Sequence, residues 1–152
     1  MRSKKYPAVI FTILTVSWSF VIWSFSMLSA EASSVQSGEV TGFINKLLSF
    51  LFDSGLSEAV VRKLAHFAEF ALLGILIFLT LWAFSLKSGR NKISLLFLIS
   101  GFVATVVEVI QLTSPGRAFR ISDILLDITG AAVAFVLCLV IMFVYKKNKK
   151  SR

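Results

Sequence analysis

Four long apolar stretches dominate the chain, and short polar segments separate them. They cover residues 8–28, 64–86, 93–113 and 123–145. Each stretch has at least the roughly 20 residues that a helix needs to cross the hydrocarbon core of a bilayer. The pattern therefore predicts an all-α polytopic membrane protein, with four transmembrane helices in a single domain that covers residues 1–152.

The composition agrees with a membrane protein. The 152 residues are 57% hydrophobic, and a mean hydropathy of +0.84 is too high for a water-soluble domain of this length. The net charge of +8 comes from short basic runs between the apolar stretches, a pattern typical of membrane topology, so we expect no nucleic-acid partner. The single cysteine, Cys138, lies within an apolar run and is interpreted as packing material.

The basic residues also predict the orientation of the chain. With the N-terminus in the cytoplasm, 11 of the 16 Lys and Arg residues fall on the cytoplasmic side, as the positive-inside rule requires. The five that fall outside are Lys46, Arg62, Lys63, Arg117 and Arg120. We therefore expect both termini to be cytoplasmic.

The first apolar stretch has an alternative interpretation as a cleaved signal peptide. Basic residues precede it, and Ala30-Glu31-Ala32 fits a small-x-small cleavage site. A signal peptide has an apolar region of only about 7–15 residues. The length of 8–28 therefore favours a retained transmembrane helix, and cleavage stays open as the alternative.

An external segment, residues 29–62, connects the first two stretches. Its serine-rich beginning, residues 29–38, is expected to be an exposed loop. Apolar residues then recur at helical spacing and predict an interfacial amphipathic helix of about 12 residues. These residues are Val40, Phe43, Ile44, Leu47, Leu48 and Leu51. Such a helix is either a lid over the bundle or a lipid-contacting element, and after it Ser57 is expected to cap the second span.

Charged and amide residues lie near the outer ends of the last three stretches. They are Lys63, His66, Glu69, Glu108, Gln111, Arg117, Arg120, Asp123 and Asp127. Ionisable groups in lipid-facing segments are costly and mark a functional site or a pairing network. At 1.5 Å per residue, the inner acids lie roughly 6–8 Å from the ends of their predicted helices. A polar pocket near the outer face is therefore predicted, with carboxylates facing the cations.

A structural interpretation of the same residues remains open. Polar side chains near helix ends also extend towards the interface or hold helices together, and Asp123 fits a helix cap. Gly130 and Ala134 have the spacing of small residues at helix contacts, and Gly74 is expected to serve likewise.

The polar blocks resemble those of a known family. Arg62-Lys63-Leu64-Ala65-His66-Phe67-Ala68-Glu69-Phe70, then Glu108-x-x-Gln111, then Pro115-Gly116-Arg117 with Asp123, Asp127 and Gly130 are similar to the VanZ-like family of small bacterial membrane proteins. The resemblance implies a four-helix protein of the bacterial cytoplasmic membrane. It also implies a role in glycopeptide resistance, because the family's namesake raises resistance to teicoplanin, a lipid-tailed antibiotic. The chain departs from many relatives at Val107, where they carry an acid, and at Asp127, where others carry asparagine.

The favoured function is ligand binding by the nine polar residues of the pocket. Lys63, Arg117 and Arg120 would hold the anionic headgroup of a membrane lipid, a lipid-linked cell-wall intermediate or a lipoglycopeptide antibiotic, because arginine binds such groups in a bidentate manner. No cofactor and no metal is expected, since a single histidine does not suit a zinc site.

Two other function classes remain. In an enzyme, His66 with Glu69 or Glu108 would act as general acid and base on a lipid headgroup, or a metal would lie among His66, Glu69, Glu108 and Asp127. A proton-relaying transporter would need a homo-oligomer, because four helices form a small bundle.

Overall fold

The computed structural model describes residues 5–48, 55–85 and 88–150. They form five helices, and no strand occurs among them. The helices are α1 (Lys5–Ser26), α2 (Ala30–Leu48), α3 (Glu58–Ala83), α4 (Gly89–Thr113) and α5 (Ile121–Lys150). Four of them, α1, α3, α4 and α5, are long and apolar enough to cross a membrane. The predicted all-α, multi-pass membrane architecture is confirmed.

The predicted cap of the second span is confirmed. Ser57 caps α3 by accepting a hydrogen bond from the backbone N–H of Val60, and Glu58 lies in the first turn. Helix α3 therefore begins at Glu58, before the apolar stretch 64–86, because the charged residues Arg62 and Lys63 continue the helix outside that stretch.

The prediction of an exposed loop over residues 29–38 is wrong, because α2 already begins at Ala30. The Ser29 hydroxyl accepts a hydrogen bond from the Ala32 N–H at 3.1 Å, as a helix cap does. The predicted amphipathic helix is thus the second half of a longer one, and Leu51 lies outside the described residues.

The two faces of α2 differ in burial. Ser33 and Thr41 are only 8% and 9% exposed, whereas the apolar Phe43 and Leu47 are 70% and 63% exposed. The small polar side chains therefore pack towards the bundle, and the apolar side chains face outwards, where the lipid interface would contact them.

Helix α3 lies at the centre of the bundle and packs most extensively on α5. Gly74 and Gly130 are buried at this contact. A Cβ atom at Gly130 would lie 2.5 Å from the carbonyl oxygen of Phe67, and one at Gly74 would overlap the carbonyl oxygen of Ala131. The predicted packing role of both glycines is confirmed, since only a hydrogen at these positions permits so close an approach.

The apolar core lies between the four long helices. Its largest fully buried apolar side chains are Phe70, Phe135, Ile22 and Leu73. Cys138 packs against the edge of this cluster, in agreement with its predicted packing role. The core ends where the polar residues begin, at the end of the bundle that holds the start of α3.

Candidate functional site

Two connecting segments meet at the end of the bundle where α1 and α4 finish. The hydroxyl of Ser114 donates to the carbonyl oxygen of Ser26 at 3.3 Å, and the N–H of Ala30 donates to the carbonyl oxygen of Pro115 at 3.0 Å. Gly116 follows with a φ of +77°, a conformation that glycine adopts without strain. These contacts fix the segment that carries Arg117 and Arg120 beside the start of α2.

The far end of α2 is also held in place. The side-chain amide of Asn45 donates to the carbonyl oxygen of Leu56 at 3.0 Å, and its oxygen accepts from the N–H of the same residue at 2.7 Å. Helix α2 is thus attached at both ends across the start of α3.

Two cavities adjoin at this end of the bundle. The first, which we name the α2 cavity, has a volume of about 150 Å³ and lies between the end of α1, α2 and α3. The second, which we name the loop cavity, has a volume of about 190 Å³ and lies between α3, the α4–α5 connection and the start of α5. Arg62, His66 and Arg117 line both cavities, so these three side chains form a shared wall.

Arg62 is held in this wall by a network that sequence reasoning missed. Its Nη2 atom donates to Glu58 Oε1 at 2.7 Å and to the Ser34 hydroxyl at 3.1 Å. Ser34 in turn donates to the same Glu58 oxygen at 2.8 Å. The Nε atom of Arg62 is buried without a partner. The i, i+4 spacing of Glu58 and Arg62 was the one sequence signal of this pair.

Arg117 is the second cation of the wall. Its Nε atom is also buried without a hydrogen-bond partner. Burial and the positive charge of Arg62 lower the pKa of Arg117, and the negative charge of Glu108 opposes this shift. Two guanidinium groups therefore carry unused donors and repel each other across the same site.

His66 faces a buried carboxylate. Its Nδ1 atom lies 3.8 Å from Asp127 Oδ1, and the Asp127 side chain is only 1% exposed. Neither carboxylate oxygen of Asp127 has a hydrogen-bond partner. Among the residues that the structure describes, Asp127 is the carboxylate within 4.0 Å of His66, whereas the sequence pointed to Glu69 or Glu108.

Glu108 is buried at 1% exposure and holds the start of α5. Its Oε2 atom accepts a hydrogen bond from the backbone N–H of Arg120 at 2.6 Å. The other oxygen, Oε1, has no partner. A carboxylate at a helix N-terminus is favoured by the helix dipole, so Glu108 has a structural role in addition to its place beside the site.

The remaining predicted residues divide between the cavities. Glu69 lines the α2 cavity. Four others line the loop cavity, namely Lys63, Gln111, Arg120 and Asp123. Glu108 and Asp127 lie behind these walls and line neither cavity. The structure brings these residues together at one end of the bundle, and it divides them between two compartments that the sequence did not predict.

The expected ion pairs between the acids and Lys63, Arg117 or Arg120 do not occur among the described side chains. The two close charge contacts in those ranges are Arg62 with Glu58 and His66 with Asp127. Lys63 and Arg120 are exposed, away from the buried acids. Arg120 contacts Glu108 through its backbone N–H and not through its guanidinium. Within the described residues, no three His, Cys, Asp or Glu side chains converge as a metal site would require.

Comparisons with known proteins agree with this architecture. Searches of curated proteins and of solved structures gave no significant match. A family model described as VanZ/LLP1 matches residues 11–143, which include all four long apolar helices in large part and every residue of the site. The chain therefore belongs to the VanZ/LLP1 family.

Proposed function

We propose that this protein binds the anionic headgroup of a membrane lipid or of a lipid-linked cell-wall intermediate between Arg62 and Arg117. The observation that carries the proposal is the shared wall, where two arginines have buried Nε atoms without hydrogen-bond partners. A phosphate or carboxylate oxygen would accept from both guanidinium groups and relieve their mutual repulsion.

Lys63 and Arg120 add positive charge at the mouth of the loop cavity. Both are exposed, and exposed charges guide a ligand to its site more than they hold it there. Arg62 and Arg117 would therefore contribute most of the affinity, and Lys63 and Arg120 would contribute to the rate of association.

The proposal places the protein in the bacterial cytoplasmic membrane with both termini in the cytoplasm. The basic residues at the C-terminal end of α5 and at the start of α4 support this orientation. The site, at the opposite end of these helices, would then open to the outer leaflet. There it would meet lipid-linked envelope molecules or a lipoglycopeptide such as teicoplanin, and capture of either would support a role in glycopeptide resistance.

Titration with defined lipids tests this proposal. Phosphatidylglycerol and phosphatidylcholine would be titrated by calorimetry into the purified protein in a mild detergent. We expect the anionic lipid to bind, and Arg117→Ala to weaken its binding about 10- to 100-fold, because a hydrogen bond to a charged group contributes about 1.5–3 kcal/mol.

Arg90→Ala is the matched control, since it removes the same charge at the exposed start of α4, at the other end of the bundle. Equal affinity of the wild type and Arg117→Ala for the anionic lipid would contradict the proposal.

A second candidate function is general acid–base chemistry on the bound headgroup. The position of His66 beside the buried carboxylate of Asp127 favours it: Nδ1 and Oδ1 lie 3.8 Å apart without a hydrogen bond, and their approach on ligand binding would orient the imidazole as a proton acceptor. His66→Gln should then retain lipid binding and lose conversion of the bound lipid, as followed by mass spectrometry. Unchanged lipid after incubation with the wild type would restrict the protein to binding.

A further inference from the structure

The two cavities differ in the chemistry of their walls on either side of the shared residues. Apart from the shared wall, the α2 cavity is lined by Phe25, Leu28, Val40 and Val61, together with small polar side chains of α2 and with Glu69. The loop cavity is lined by four charged or amide side chains, Lys63, Gln111, Arg120 and Asp123, beside small or apolar ones such as Ala59, Ala118 and Leu126. One compartment therefore suits an apolar chain and the other suits a polar group.

We infer that the ligand is a phosphate ester whose phosphate lies between an apolar chain and a polar headgroup, with the chain in the α2 cavity and the headgroup in the loop cavity. The phosphate would contact Arg62 and Arg117 in the shared wall. This inference rests on the proposed function and adds the chemical class of the ligand, namely a phosphodiester or diphosphate lipid with a polar group beyond its phosphate.

The α2 cavity has a polar wall on one side and an apolar wall on the other, and the apolar wall suits a chain. Helix α2 covers its cavity with the polar face inwards, and Ser33 and Thr41 on that face are buried. Phe25 of α1, Leu28 of the connection that follows it and Val61 of α3 form the opposite, apolar part of the wall. Val40 also lines the cavity while 46% of its surface remains exposed. An apolar chain could therefore enter beside Val40 from the lipid that surrounds the outer face of α2.

The size of each compartment limits what it can hold. Volumes of about 150 Å³ and about 190 Å³ are below the range of roughly 300–1,000 Å³ that is usual for a whole drug-sized ligand. Each cavity alone therefore suits one part of an amphiphile, such as the first segment of a chain or a small headgroup. Together they suit the region of a lipid that contains its phosphate.

Tryptophan substitutions can fill one compartment at a time. Ser37 is half-buried and lines the α2 cavity, and Ala118 is exposed and lines the loop cavity. Gly38→Trp is the matched control on α2, because a side chain there meets open space. Gln36→Trp is a second α2-cavity variant, for use if Ser37→Trp does not fold.

Three probes separate the contributions of the phosphate, the apolar chain and the headgroup to binding. They are inorganic phosphate, decyl phosphate and dioctanoyl phosphatidylglycerol, and each is titrated by calorimetry in the same detergent. We expect Ser37→Trp to weaken binding of decyl phosphate and phosphatidylglycerol at least tenfold and to leave inorganic phosphate unchanged. Ala118→Trp should weaken the binding of phosphatidylglycerol alone. Gly38→Trp should bind all three probes as the wild type does.

The outcomes distinguish this inference from the proposed function. The inference is overturned if Ser37→Trp or Gln36→Trp folds and binds decyl phosphate with the affinity of the wild type, while Arg117→Ala has lost that affinity. The α2 cavity would then hold no chain. If both compartment variants weaken all three probes equally, the site is a single pocket, which also overturns it. Failure of the wild type to bind any of the phosphate lipids would refute the proposed function itself.

Discussion

Replacing Gly130 by alanine tests the close contact of α3 and α5, which places His66 beside Asp127. The added Cβ atom would lie 2.5 Å from the carbonyl oxygen of Phe67, the residue that follows His66. An ordinary contact between a carbon and a carbonyl oxygen is about 3.3–3.6 Å. The two helices would therefore have to separate by roughly 0.8 Å at this point, because the obstacle is backbone and cannot rotate away.

The energetic cost follows from two opposing effects. Overpacking of a close contact costs about 1–3 kcal/mol, whereas alanine in place of glycine within a helix gains up to about 1 kcal/mol. Gly101 is the matched control in α4, since a Cβ atom there would meet Ile128 Cδ1 at an ordinary 3.7 Å. Gly101→Ala should thus be neutral or stabilising, and Gly130→Ala should be less stable than it by about 1–3 kcal/mol.

Thermal unfolding of the variants in one detergent measures this difference. At about 2–4 °C per kcal/mol for a chain of this length, Gly130→Ala should unfold several degrees below Gly101→Ala. It should also bind phosphatidylglycerol more weakly, because the separation of α3 from α5 moves part of the shared wall. Equal unfolding temperatures for the two variants would refute the interpretation of the α3–α5 contact.

Three further predictions concern orientation, the start of α5 and the attachment of α2. In a Cys138→Ala background, a membrane-impermeant maleimide should label Glu39→Cys in intact cells and should label Lys147→Cys only after permeabilisation. The reverse labelling pattern would contradict the proposed orientation. Glu108→Leu should lower stability by about 1–3 kcal/mol, because the amide at the start of α5 loses its acceptor. Glu108→Gln should lower stability less, and equal losses of stability for the two variants in denaturation would contradict this role. Asn45→Ala should speed proteolysis within α2, as followed by mass spectrometry, and unchanged cleavage would show that its two hydrogen bonds do not hold the helix.

The sequence predicted the long helices because their apolar runs are unmistakable, and Ser57 marked the start of α3. It did not predict the first half of α2. Residues 30–38 contain few apolar positions, and their small polar side chains form a helix because they pack against the bundle. Tertiary packing of this kind overrides the local composition on which the loop prediction rested.

The region of the site was predictable, but its internal pairing was not. Similar distances from the helix ends placed Glu69, Glu108 and Asp127 at one level, and the structure brings His66 close to Asp127. Arg62 was counted among the outer cations and in the family-like motif but not among the site residues, since its role depends on Ser34 and Glu58 from two different helices. Contacts of that kind are set by how helices rotate against each other, which spacing along one helix does not reveal.

Mass spectrometry of the lipids that co-purify with the protein tests the central claim most directly. Wild type, Arg117→Ala and Arg90→Ala would be purified from the same cells in the same mild detergent. Selective binding at the shared wall predicts one class of anionic lipid enriched with the wild type and with Arg90→Ala, and lost with Arg117→Ala. An identical, unselective lipid profile from all three proteins would contradict the claim that this site binds a lipid headgroup.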